Sequence, residues 1–217
     1  MKKILTLLSC GILLGLVGCS TNTPTDDEED DNSNQNENGN NNPSDENPGG
    51  NTGAQERGES MVVYFSATGN IREVANLIAE HIDAPIHELV PVDSYTSEDL
   101  NYSDPNSRLS QERNDPNHLT ELVEVNFEEF DDSDYIFVGA PVWWGNLSWV
   151  IDDFLLSNDF SGKTIIPFAT ASLSSFSNGP LEQLVPNARI SEGRRFRHNE
   201  INESSVNEWL DSYNVAF

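Results

Sequence analysis

Residues 134–155 read DYIFVGAPVWWGNLSWVIDDFL. Tyr135–Ala140 is a short, unbroken apolar run, the pattern of a strand covered on both faces, and Leu147–Leu156 reads as the helix that follows it. The loop between them is Pro141-Val142-Trp143-Trp144-Gly145-Asn146. Neighbouring residues there cannot both point into a core, so two adjacent tryptophans beside a glycine suit a flat aromatic ligand. The other reading of the pair is a hydrophobic lid packed on the next helix.

Working outward, Met61–Phe65 is a second short apolar run, and Asn70–His81 follows it with Val74, Ala75, Ile78 and Ile82 at helical spacing. Further strands are expected at Ile86–Val90, Thr164–Ala169 and, weakly, Ala188–Ile190. Helices are expected at Asn178–Leu184 and Ser204–Tyr213. The polar stretch Asp93–Glu121 looks like an excursion from the core. Five strands alternating with helices predict an α/β domain with a doubly wound parallel sheet and helices on both faces. In such a sheet the ligand lies beyond the carboxyl ends of the strands, so the loops after Phe65, Ala140 and Ala169 are the places to look.

The first of these loops is Ser66-Ala67-Thr68-Gly69-Asn70, opening directly into a helix. A helix start offers unpaired amides and a partial positive charge, two hydroxyls add donors, and Gly69 lets the backbone come close. The loop has neither the Walker pattern nor the three-glycine dinucleotide fingerprint, which favours a single phosphate held without lysine or magnesium. An ordinary strand-to-helix cap is the competing reading. The third loop, Thr170–Ser175, brings hydroxyls and amides to the same crevice.

The segments YFSATGN (64–70), DYIFVGAPVWWGNLSWVIDDFL (134–155) and SGKTIIPFAT (161–170), in this order, resemble the flavodoxin family, specifically the longer lipoprotein-type flavodoxins of bacteria. The resemblance covers roughly residues 60–213. It implies a flavodoxin-like five-stranded parallel sheet of order 2-1-3-4-5 that binds FMN. By position, Ser66, Thr68, Gly69 and Asn70 would hold the phosphate with amides of Ala67 and Ile71. Pro141, Val142, Trp143, Trp144 and Gly145 would flank the ring, one tryptophan stacking on it, and Thr170, Ala171, Ser172 and Ser174 would line its far side. No catalytic acid, base or nucleophile is implied. This chain departs from the family pattern at Ile71, where threonine is usual, at Ser148, where proline is common, and in the third loop, which lacks the usual glycines.

The ends of the chain carry different information. Met1-Lys2-Lys3, the apolar run Ile4–Val17 and Gly18 read as a signal segment, residues 1–18, too short for a comfortable membrane span. Leu16-Val17-Gly18-Cys19 resembles a bacterial lipobox, which implies lipidation of Cys19 and anchoring without crossing. Residues 19–58 then form an acidic, Asn-rich linker without aromatic or large aliphatic residues after Cys19, unable to bury a core. The domain is expected over 59–217.

From Glu59 onward the chain carries 27 acidic and 8 basic residues, a net of −19 with histidine neutral. That argues against nucleic acid and against direct adhesion to anionic lipid, and it disfavours adding further negative charge to a bound ring. The four histidines show no ligand spacing, so no metal site is expected. The expectation is a membrane-tethered, extracytoplasmic, monomeric electron carrier serving a redox partner protein or small acceptor. The alternatives are an FMN-dependent NAD(P)H:quinone-type reductase and a binding module without FMN.

Overall fold

The computed structural model describes residues 58–171, 175–213 and 215–217. Expectations for the signal segment, for Cys19, for the linker up to residue 57, and for Ser172 and Ser174 lie outside these described residues.

The elements run β1 (Ser60–Tyr64), α1 (Asn70–Ile82), β2 (Ile86–Glu88), α2 (Arg108–Asn114), β3 (Tyr135–Trp143), β4 (Asn146–Leu147), α3 (Asp152–Ser157), β5 (Thr164–Thr170), α4 (Gly179–Leu184), β6 (Arg189–Ile190), β7 (Arg194–Phe196) and α5 (Glu203–Leu210). The sheet order β2-β1-β3-β5-β6 is all parallel. This is the expected 2-1-3-4-5 arrangement, with β5 and β6 as its fourth and fifth members.

Apolar runs without polar alternation form these strands because both faces are covered. Val63, Ile136, Val138, Ile165 and Ala169 pack with Phe154 and Leu155 of α3 and Leu181 of α4. Val62, Tyr64, Phe137, Ile166 and Phe168 pack instead with Ile71, Val74 and Ile78 of α1 and with Val206, Trp209 and Leu210 of α5. Gly139 sits on this second face, where an added Cβ would lie 2.2 Å from Phe168 Cζ. The ring of Phe168 fills the place of its side chain.

Two strands beyond the expected five have local causes. Strand β4 turns back antiparallel on β3, pairing Val142 with Leu147 and Trp143 with Asn146. The two turn residues Trp144 and Gly145 have φ of 46° and 86°, the paired positive values that a type I′ hairpin needs. Leu147, expected to open a helix, is therefore a strand residue. Trp149–Ile151 form a 3-10 turn and α3 begins at Asp152.

Strand β7 continues the edge begun by β6 with one residue inserted: Thr164 pairs with Arg189, but Phe168 with Arg194. The amides of Arg189 and Ser191 donate to the carbonyls of Lys163 and Ile165. Pro167 is next in that alternation and has no amide hydrogen, so the ladder breaks there and resumes after a bulge. Gly193 fits the gap, since a Cβ would lie 2.1 Å from the Pro167 carbonyl oxygen.

The stretch 93–121 is not a detached excursion. It carries α2 and buries Leu109 and Glu112, at 1% and 8% exposure. Among the described residues no helix is long and apolar enough to cross a membrane.

Candidate ligand-binding site

The β1–α1 loop turns through Gly69, whose φ of 93° suits glycine. Ser66 closes the turn: its Oγ accepts from the amides of Gly69 at 3.1 Å and Arg72 at 3.3 Å. No protein acceptor among the described residues takes the amides of Ala67, Thr68, Asn70 or Ile71, so the start of a 13-residue helix keeps donors for an anion. Arg72 faces away from the loop onto Glu88, at 2.5 and 3.2 Å. The same carboxylate accepts from Tyr64 Oη at 3.3 Å, and burial together with Glu88 raises the Tyr64 phenol above its usual range. The loop thus presents amides and hydroxyls, and its nearest cation is neutralised.

The tryptophan pair divides into two roles. Trp143 is half-buried and packs edge-on against Phe65 at 6.0 Å, Tyr95 at 5.6 Å and Trp149 at 4.8 Å. Trp144 is 40% exposed, lies parallel to Trp149 at 6.0 Å, and has the Arg113 guanidinium 4.4 Å from its ring centre. A bulky residue at positive φ costs on the order of 1–2 kcal/mol, so the hairpin turn holds Trp144 outward against a backbone preference. The packed-lid reading describes Trp143, whereas Trp144 keeps an exposed face.

On the far side, Ala171 is clamped by the neighbouring edge strand. Its amide donates to the Phe196 carbonyl at 3.2 Å, and its carbonyl accepts from Arg195 Nη1 at 3.0 Å. Arginine and main chain from β7 thus fix Ala171 where β5 ends.

These three loops meet around one cavity of about 500 Å³, lined by Ala67, Thr68 and Asn70, by Pro141, Val142, Trp143 and Trp144, and by Thr170 and Ala171. Ser66, Gly69, Ile71 and Gly145 do not line it. The Ser66 oxygen is engaged with amides, the Ile71 side chain is buried in the core at 2% exposure, and the Gly145 carbonyl accepts from the Ser177 amide at 2.9 Å. Among the described residues no group of three or more His, Cys, Asp or Glu is arranged to hold a metal ion.

The flavodoxin family model matches residues 59–213. The chain belongs to the flavodoxin family. A candidate flavoprotein from Bacteroides eggerthii is similar at 32% identity and TM-score 0.67, covering 73% of this chain and 99% of that one. Another from Bacteroides uniformis shows 35% identity and TM-score 0.66 over 72% of this chain and 99% of its own. A flavoprotein of Lactobacillus acidophilus, solved in complex with FMN, shares the fold at 19% identity and TM-score 0.51, covering 70% of this chain and 99% of that one. No curated protein matches the chain.

This flavodoxin-family site has lining residues outside the three loops. Leu100, Tyr102 and Leu109 reach the cavity from the 93–121 stretch, and His198 from beyond β7. A signal for the first three was present: they are among the few apolar residues in an otherwise polar segment. Nothing local marked His198.

Proposed function

We propose that the domain binds FMN in this cavity and carries electrons outside the cytoplasm, held at a membrane by a lipid on Cys19. The observation that supports the reading is the convergence of an amide-rich helix start, a tryptophan hairpin and Thr170 and Ala171 at the end of β5 on one cavity of about 500 Å³, within the range of small-ligand sites. The amides of Ala67, Thr68, Asn70 and Ile71, with the side chains of Thr68 and Asn70, suit the phosphate. Trp143 and Trp144 suit the ring, and Leu100, Tyr102 and Leu109 exclude water from it. Bound FMN would supply the redox chemistry, the chain supplying position and electrostatics.

An absorbance spectrum of the purified protein before and after adding FMN tests the binding. The expected result is a perturbed flavin spectrum at one equivalent, whereas a protein that stays colourless supports the reading as a module without FMN. Reductive titration tests the carrier role, with two separate one-electron stages expected. The tether is tested by Cys19→Ala, which is expected to move the protein from the membrane fraction to the soluble one.

A second reading, a reductase taking hydride from NAD(P)H and passing it to a small acceptor, is favoured by the wall that Leu100, Tyr102 and Leu109 add to the cavity. Sustained NADH or NADPH oxidation by the protein alone with a quinone would select it over the carrier.

A further inference from the structure

Neither cavity-lining tryptophan is braced by the hairpin alone. Trp149 lies under both, parallel to Trp144 and edge-on to Trp143, and Tyr95 meets Trp143 and Phe65. Trp149 and Tyr95 are polar at one tip, and both tips converge on a single atom. Oε2 of Glu112 accepts from Tyr95 Oη at 2.6 Å and from Trp149 Nε1 at 3.0 Å. Its other oxygen, Oε1, accepts from Arg108 Nε at 2.6 Å and has His118 Nε2 3.5 Å away.

The hydrogen-bond directions follow from donor counting. Tyr95 has one hydroxyl hydrogen, committed to Glu112, so Thr120 Oγ1, 3.2 Å from Tyr95 Oη, donates to it. Thr120 has then spent its own hydrogen, so His118 Nε2, at 3.0 Å, carries a proton and donates to Thr120 Oγ1. Arg108 adds a cation over the Tyr95 ring at 4.1 Å and ties the stretch back to Asp93. Every partner except Trp149 comes from residues 93–120.

We propose that Glu112 is a positioning residue: one buried carboxylate fixes the two rings that support the tryptophan wall, and so joins the 93–121 stretch to the ligand cavity. A charge at 8% exposure is held by hydrogen bonds in place of water. Removing it strands a phenol and an indole N–H that have turned towards it, and the rings beneath Trp143 and Trp144 lose their orientation. Burial also pushes the Tyr95 phenol well above its usual range, keeping it the donor across the working pH range.

The proposal concerns the wall of the cavity read above as an FMN site, and its test has an arm that needs no flavin. Near-ultraviolet circular dichroism of the FMN-free protein reports the stacked Trp144–Trp149 pair, and FMN titration reports the site. Glu112→Gln and Tyr95→Phe are each expected to reduce the near-ultraviolet tryptophan signal at unchanged far-ultraviolet signal. Tyr95→Phe removes one donor and keeps the ring, so it decides the matter should Glu112→Gln fail to fold, read in the tryptophan bands, where a tyrosine does not contribute. FMN affinity is expected to fall about tenfold in Glu112→Gln and less in Tyr95→Phe. A folded Tyr95→Phe protein with the wild-type tryptophan signature and FMN affinity would overturn the proposal. Failure of the wild type to bind FMN would sink the flavin reading and leave the circular dichroism arm to decide this one.

Discussion

The two sides of the cavity are built in opposite ways. The β1–α1 loop is local: Ser66 caps amides three and six residues away, Gly69 makes the turn, and α1 supplies the field. The tryptophan wall is assembled, with Trp143 and Trp144 resting on Trp149 and Tyr95, which in turn hang on Glu112 at separations of 37 and 17 residues. A local site needs one turn to form, while an assembled one exists only when distant segments have already packed. The wall is therefore expected to answer to global stability and the loop to answer mainly to its own sequence.

The largest expected effect separates the tryptophans. Trp143→Ala removes a half-buried ring from contact with three aromatic neighbours and is expected to cost about 3 kcal/mol of stability, read from denaturant midpoints. Trp144→Ala removes an exposed ring and should cost under about 1 kcal/mol, yet lower FMN affinity more than Trp143→Ala does once both are compared below their unfolding transitions. Equal stability losses would erase the distinction between support and contact.

This contrast also explains what the sequence disclosed. Loop positions Ser66 to Asn70 and the strands themselves could be read because the signals are short-range: an apolar run, a glycine, a helix start; the strand order was implied only by the family resemblance. Trp143 and Trp144 were visible as a pair, but their different roles were not, because positive φ at residues 144 and 145 and the resulting β4 hairpin depend on pairing across the turn. Glu112 looked like one acid among many in a polar stretch. Its importance lies entirely in Trp149 and Tyr95, which no periodicity connects to it. Strand β7 was hidden similarly, since Arg194, Arg195 and Arg197 mask a fully buried Phe196.

A smaller effect tests how dry the assembled side is. The 3-10 turn bearing Trp149 leads into Asp152, whose carboxyl burial pushes up to about 7. Unfolded, it ionises near 3.8, so the folded state keeps a proton that the unfolded state has lost. Stability from this group is full below that value and is lost as pH rises through about 7. Asp152→Asn should match wild type near pH 3 and exceed it by about 2 kcal/mol at pH 8, roughly half the linkage maximum because the side chain is partly open to solvent. A stability difference that does not change with pH would mean water reaches this side freely.

The smallest effect belongs to the local side. Ser66→Ala leaves the amides of Gly69 and Arg72 without their acceptor, a loss of about 1 kcal/mol typical of a helix cap, and Ser66→Thr should restore most of it. Hydrogen exchange is expected to quicken in the first turn of α1 while the near-ultraviolet signal of the tryptophans stays unchanged, because no contact in the wall passes through Ser66. FMN affinity should fall severalfold, since the phosphate would then meet a loop that no longer holds its turn closed before binding. A change in the tryptophan signal on Ser66→Ala would show that loop and wall form one cooperative unit. The comparison between a local and an assembled side would then fail where its expected effect is smallest and its result easiest to read.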